Sequence, residues 1–280
     1  MIAKRKFVKI DLFEIAYRQW GTNGKPIVFL HGIPTNSILW NSTGEFLAKQ
    51  GYNVFAPELL GLGYTNGPID HDHSFEGQSK IINSFIESVV KDDYILVGHD
   101  LGGGIAQILL TEYSTNISKC ILTNCVAFDS WPIKEIKLLI KMASRDNYSQ
   151  IISPAFILDF LSKGISSGLI DSKKLDDDIL QDIHLGLTGT ADRYEHFVRF
   201  LLSMDNKYTQ AAALKLENFI KPVLTVWAKD DQYQPITVGE KLRDTFSNVT
   251  WKTIDGRHFH PFESLAIAEL IYDWDNKNGG

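Results

Sequence analysis

The sequence predicts an α/β fold: a mostly parallel sheet of eight strands, covered by helices on both faces, with a block of helices inserted after the sixth strand. Three observations predict it. Short apolar runs alternate with amphipathic stretches from Pro26 to Thr123. The stretch from Tyr94 to Gln107 reads as a buried strand, a glycine-packed turn and the start of a helix. Between 130 and 215 strand-like runs disappear, and they return at Pro222.

Taken in order, Phe7 to Ile10 and Phe13 to Tyr17 alternate as a short antiparallel pair, and Pro26-Ile27-Val28-Phe29-Leu30 is the continuous apolar run of a strand covered on both faces. Asn53 to Ala56 is the next strand. Glu76 to Val90 carries Ile81, Ile82, Phe85 and Val89 at helical spacing, Tyr94 to Val97 leads into the glycine turn, and Cys120 to Thr123 follows its helix. After Phe128 only helical periodicities remain, as in Ile133, Ile136 and Ile140, and again in Tyr194, Phe197, Val198, Leu201 and Leu202. Asp176-Asp177-Asp178 reads as a solvated helix start. Pro222 to Trp227 and Val249 to Ile254 restore the sheet, a helix from Ala266 to Trp274 closes it, and the polar tail from Asn276 to Gly280 is expected to fray. The division expected is a core of residues 1–129 and 216–280 and a helical cap of residues 130–215.

Composition narrows the function classes. The 280 residues are 44% hydrophobic and 22% charged, a globular balance, and a net charge of −6 offers no basic stripe for nucleic acid. The basic start Met1 to Phe7 is followed by no apolar signal core, and no apolar run is long enough to cross a bilayer, so the expectation is a cytoplasmic protein acting on a small molecule with water, as a monomer or homodimer. Cys120 and Cys125 fall in one strand at an odd separation and read as buried packing residues. The pairs His71/His73 and His258/His260 lack cysteine or carboxylate companions at ligand spacing, so neither a metal nor another cofactor is expected. Nor does the glycine turn match a dinucleotide loop, although Asp129 lies at a plausible distance for a ribose contact: its spacing is not G-x-G-x-x-G, and a carboxylate there would repel a pyrophosphate.

The turn Gly98-His99-Asp100-Leu101-Gly102 instead has the layout G-x-Nu-x-G, in which the central residue projects from a strained strand-to-helix turn. Asp100 holds the nucleophile position. A carboxylate there attacks a saturated, polarised carbon and becomes an alkyl ester, which water must then cleave with the help of a base. His258, in the stretch Asp255 to Pro261 after the last strand, is the expected base, and Asp231, with Asp230 as the fallback, is the expected acid that orients it. The backbone N–H groups of Ile33 and Leu101 are the expected donors to the oxyanion.

These residues resemble the α/β-hydrolase superfamily and, within it, the haloalkane dehalogenases and epoxide hydrolases. His31 to Trp40 is close to the dehalogenase run H-G-N-P-T-x-S-x-L-W, Ala56 to Gly63 resembles A-P-D-L-x-G-x-G, and Gly98 to Gly103 resembles the epoxide-hydrolase run G-H-D-W-G-G. The resemblance implies an aspartate-nucleophile hydrolase of the α/β-hydrolase fold. It also exposes departures. Dehalogenases hold the halide with a tryptophan after the nucleophile and an asparagine after H-G or a second tryptophan, where this chain has Leu101 and Ile33. Asn124, after the sixth strand, sits where some dehalogenases place a pocket residue or their acid, and Trp131 at the cap entrance could offer one indole N–H. Epoxide hydrolases protonate the leaving oxygen with cap tyrosines, for which Tyr148, Tyr194 and Tyr208 are the candidates. An epoxide hydrolase acting on a small apolar substrate is the expectation, with a haloalkane or haloacid dehalogenase as the alternative. A non-hydrolytic ligand-binding member of the fold is a further alternative.

Overall fold

The computed structural model describes residues 2–278. Its sheet contains β1 (Arg5–Ile10), β2 (Phe13–Trp20), β3 (Lys25–Leu30), β4 (Tyr52–Pro57), β5 (Tyr94–Asp100), β6 (Ile117–Cys125), β7 (Val223–Ala228) and β8 (Val249–Ile254). The order is β1-β2-β4-β3-β5-β6-β7-β8. β2 runs antiparallel to both β1 and β4, and every pairing from β4 through to β8 is parallel. Each residue of β5 and β7 is buried, the burial that a strand inside a covered parallel sheet requires, whereas the edge strands β1 and β8 keep polar, solvent-facing positions that discourage further pairing.

The helices of the parallel sheet are α1 (Asn41–Lys49), α2 (Phe75–Phe85) and α3 (Leu101–Glu112). Ser74 caps α2 by accepting the Gly77 N–H, and the helix continues into one wide turn at Ile86–Val90 that stops at Lys91 in a left-handed conformation. Residues 76–90 therefore form the expected single helical rod, with a loosened last turn. Between β6 and β7 come α4 (Lys134–Ala143), α5 (Tyr148–Ile151), α6 (Pro154–Ser167), α7 (Asp177–Thr188), α8 (Ala191–Leu202) and α9 (Lys207–Ala213). Asp176 is the N-cap of α7, its carboxylate accepting the Ile179 N–H at 2.8 Å, while Asp177 and Asp178 lie in the first turn where the helix dipole favours them. α9 packs chiefly on α3, beside the sheet. The chain ends with α10 (Ile236–Arg243), α11 (His260–Glu263) and α12 (Ala266–Lys277). α12 takes in Asn276 and Lys277, two residues of the expected frayed tail, because Trp274 and Asp275 are buried and anchor the last turn; Gly279 and Gly280 lie outside the described residues.

Two buried polar contacts tie the inserted helices to the sheet side. Asp182 on α7 accepts from Arg5 Nη2 at 2.8 Å, from Asn36 Nδ2 at 3.0 Å and from Arg18 Nη2 at 3.2 Å, and both arginines also bind the fully buried Glu58. His196 on α8 meets His73 with 2.8 Å between ring nitrogens. Cys120 and Cys125 are buried free thiols whose pKa values are pushed up by loss of solvation. No helix among the described residues is long and apolar enough to cross a membrane.

Candidate active site

Asp100 stands where β5 turns into α3, with φ 51° and ψ −125°, a conformation that costs a non-glycine residue on the order of 1–3 kcal/mol and persists only where the surroundings enforce it. Its neighbours have no room for side chains. A Cβ on Gly98 would lie 2.6 Å from the Gly103 Cα, and one on Gly102 would run into the His31 carbonyl, so these glycines are required by close approach of backbone to backbone. A Cβ on Gly32 would strike the Asp100 carboxylate itself.

That proximity lets the β3 loop grip one carboxylate oxygen: the Ile33 N–H donates to Asp100 Oδ1 at 2.8 Å. Leu101 opens α3, so helix geometry supplies no acceptor for its N–H, and both residues line the cavity beside Asp100. The loop is held by His31, which donates through Nδ1 to the Gly32 carbonyl and accepts the Leu59 N–H at Nε2. Burial drives the His31 pKa down to about 4 against the pull of Glu58 and Asp100, so the ring stays neutral, as these two bonds require.

Asp100 Oδ2 lies 3.5 Å from His258 Nε2, and His258 Nδ1 is 2.7 Å from Asp231 Oδ2. The structure thus brings Asp100, His258 and Asp231 together in one line; Asp230, the fallback acid, is exposed. Asp231 is fixed from both sides. Its Oδ1 accepts the N–H groups of Tyr233 (2.7 Å) and Gln234 (3.0 Å), and its Oδ2 accepts Asn124 Nδ2 at 2.7 Å. Asn124 in turn accepts the Ala228 N–H, which makes it the brace of the acid and leaves it no free polar atom for a ligand.

Burial alone would depress the His258 pKa, but the carboxylates of Asp231 and Asp100 outweigh it and raise the value to about 10. Asp231 is held below the usual carboxylate range: burial opposes the shift, and the imidazole and two backbone N–H groups prevail. The neighbouring rings behave otherwise. Burial and the charge of His258 hold His99 down to about 3 and push His260 well down, so neither competes for the proton.

Above these residues is a cavity of about 690 Å3, within the range of small-molecule sites, walled by sheet-side loops and by the inserted helices through residues such as Trp131, Phe156, Phe160 and Met204. Three of the expected proton donors are not on its wall. Tyr148 donates to Glu195 at 2.8 Å, Tyr194 donates to the Ile152 carbonyl at 3.1 Å, and Tyr208 lies in a separate groove over α2 and α3. Each ring instead packs on an aromatic neighbour, the commonest use of such residues inside a helical layer. Trp131 does line the cavity, but its Nε1–H donates to Thr209 Oγ1 at 2.8 Å and its ring stacks on Phe75, so it offers apolar surface and no donor.

Sequence reading missed the wall residues Gln232, Tyr233 and Gln234, which follow Asp231 in the same loop; Tyr233 and Gln234 matter most. The Tyr233 ring stands edge-on to His258 at 5.2 Å, and its hydroxyl lies 2.7 Å from the Gly164 carbonyl and 2.6 Å from Ser167 Oγ. The turn explains the place of Tyr233 and Gln234: Asp231 Oδ1 accepts the N–H groups two and three residues on, which carries both residues to the cavity wall.

The family model for the alpha/beta hydrolase fold matches residues 25–148. A non-heme haloperoxidase of Rhodococcus erythropolis is 32% identical over 117 residues, which span 41% of this chain and 42% of that protein. An uncharacterized hydrolase of Saccharomyces cerevisiae is 27% identical over 283 residues, 93% of each chain. Among solved structures, the epoxide hydrolase CorEH superposes with a TM-score of 0.82 at 16% identity, covering 98% of this chain and 99% of that one. A mutant haloalkane dehalogenase from Agrobacterium tumefaciens superposes with a TM-score of 0.80 at 20% identity, covering 97% of this chain and 96% of that one. At such identities the structural likeness speaks for the fold alone.

Proposed function

We propose that this chain, a member of the α/β-hydrolase superfamily, is a hydrolase that forms and then cleaves an alkyl ester on Asp100. One observation carries the reading: a carboxylate stands at the strained turn with Oδ1 held by the Ile33 N–H and Oδ2 facing His258, whose far nitrogen is bound to Asp231. In the first step Oδ2 attacks the electrophilic carbon, the new C–O bond forms, and the carbon–leaving group bond breaks. In the second, His258 Nε2 takes a proton from water as the water oxygen adds to Asp100 Cγ. The negative charge then falls on Oδ1, at the Ile33 and Leu101 N–H groups. Collapse breaks the ester C–O bond: His258 gives the proton it took from water to the departing alkoxide, which leaves as the alcohol, and the proton left on the Asp100 carboxyl passes to solvent, restoring the carboxylate.

An epoxide is the favoured substrate. Aliphatic side chains occupy both halide positions, Ile33 and Leu101, and the Trp131 N–H is spent on Thr209, so a departing halide would meet little solvation. An epoxide oxygen needs a proton, and Tyr233 is the candidate because its ring lines the cavity, unlike the other three tyrosines; its hydroxyl donates to the Gly164 carbonyl at 2.7 Å, and that bond must be exchanged for one to the epoxide oxygen. The inserted segment 130–215 serves as the cap, contributing apolar walls that exclude water from the ester.

Single-turnover reaction in ¹⁸O-labelled water tests the mechanism. The label is expected in the peptide containing Asp100 and absent from the first diol released, and His258→Gln is expected to accumulate the ester on Asp100. Label appearing in the first product, or unmodified protein after incubation with a substrate that wild type turns over, would contradict the ester route.

A further inference from the structure

We infer that Gln234 is a specificity-determining residue of this cavity, one that presents an amide N–H to an acceptor oxygen of the ligand and so selects oxygenated ligands over hydrocarbons of the same shape. It rests on the cavity proposed above as the active site, and names the class of ligand that cavity takes.

Gln234 is 2% exposed, yet it lines the cavity that holds Asp100 and His258. Three of its polar groups are tied down. Its N–H donates to Asp231 Oδ1 at 3.0 Å, its carbonyl accepts from Trp227 Nε1 at 2.8 Å, and its Oε1 accepts from Ser130 Oγ at 2.9 Å. Ser130 Oγ accepts the Ala127 N–H at 3.2 Å and donates to Gln234 Oε1, so the amide stands with its oxygen on the serine. The remaining group, Nε2, has no hydrogen-bond partner among the described residues.

A primary amide nitrogen carries two donor protons and its conjugate base is far too unstable to act as an acid, so Gln234 binds and does not protonate. Two of these bonds fix its backbone, and the Ser130 bond holds the side-chain amide in place. A ligand that offers an oxygen pairs the donor, whereas a hydrocarbon of equal size displaces its water and leaves it bare, a penalty that lets a built polar site reject the analogue lacking the partner. The donors that the inserted helices place on the wall already have acceptors: Lys163 pairs with Asp159 at 2.7 Å in an exposed position, Ser167 donates to the Gly164 carbonyl at 3.0 Å, and Trp131 donates to Thr209.

The test compares cyclohexanone, which accepts hydrogen bonds and donates none, with methylenecyclohexane, its isostere without the oxygen. Competition binding followed by ligand NMR on the intact protein needs no turnover. Wild type is expected to favour the ketone by about tenfold or more, and Gln234→Met is expected to abolish the preference while retaining the hydrocarbon. Gln234→Glu keeps an oxygen for Ser130 and removes the donor, and serves in the same way if the methionine variant fails to fold. Equal binding of the two ligands by wild type, or a preference that survives both substitutions, would overturn the inference. Mass spectrometry of His258→Gln after incubation with an epoxide that wild type hydrolyses reads the Asp100 ester separately. A missing adduct with an intact, Gln234-dependent ketone preference would overturn the ester mechanism and support the donor.

Discussion

The sheet-side loops and the inserted helices meet at one cavity, but they treat their polar groups in opposite ways. At the ends of β3, β5, β6 and β7 the polar groups converge: Ile33 on Asp100, His258 on Asp100 and Asp231, Asn124 on Asp231. In the inserted helices they turn away, as Tyr148 binds Glu195, Tyr194 binds the Ile152 carbonyl and Trp131 binds Thr209. Asp100, His258 and Asp231 thus stand at the sheet ends, and the inserted helices supply aromatic and methionine wall with Glu135, Asp159 and Lys163 beside it. In an open parallel sheet the carboxyl ends of the strands gather loops from distant parts of the chain, whereas a helix surface mostly satisfies itself and its neighbours.

The largest effect that this contrast predicts is at Gly32. Its replacement by alanine drives a methyl into the Asp100 carboxylate, so Oδ1 must leave the Ile33 N–H. Turnover is expected to fall by about a hundredfold or more, as when an oxyanion donor is lost, with the protein still folded by circular dichroism. Retention of full activity would mean that the sheet side is less rigid than described.

Next comes the tie between the two regions. Asp182→Asn leaves Arg18, almost fully buried, and Arg5 with Glu58 as their remaining carboxylate. Removing one partner of a buried network typically costs 3–5 kcal/mol; because Asp182 is 19% exposed, the expected loss here is smaller, about 1–3 kcal/mol. Urea unfolding at low and high salt measures it, and a loss that vanished at both would break the view of Asp182 as the fastening of the cap.

The smallest effects should come from tyrosine. Single Tyr→Phe changes at 148, 194 and 208 are expected to alter epoxide turnover by less than about twofold, while Tyr233→Phe is expected to cost on the order of a hundredfold in the first step. Rapid-quench rates of ester formation sharpen the comparison: a large effect at any of the three would mean that the inserted helices rearrange to bring a hydroxyl to the substrate.

The same contrast explains what could be read from residues alone. The strands and the meeting of Asp100, His258 and Asp231 were legible because each rests on a local signal: a continuous apolar run such as Pro26 to Leu30, a glycine on either side of the Asp100 turn, a histidine and an aspartate directly after strands. The tyrosines were not, since the direction of a hydroxyl depends on which carbonyl or carboxylate another helix brings near, and nothing in the spacing of Tyr148 or Tyr194 encodes Glu195 or Ile152 as the partner. Gln234 was equally hidden, because its free N–H exists only once Ser130, from the loop after β6, has taken the amide oxygen. Asn124 was noticed for the right place in the chain, with its task as brace visible only after Asp231 and Ala228 were brought beside it.

The raised pKa of His258 has a consequence for the order of events. Two negative charges hold the proton on the resting imidazole, one from Asp231 and one from Asp100. In the proposed reaction Asp100 loses its charge on becoming an ester, while Asp231, the largest of the upward influences, stays in place. Esterification therefore lowers the hold on the proton and favours the base form of the ring in the step that needs it.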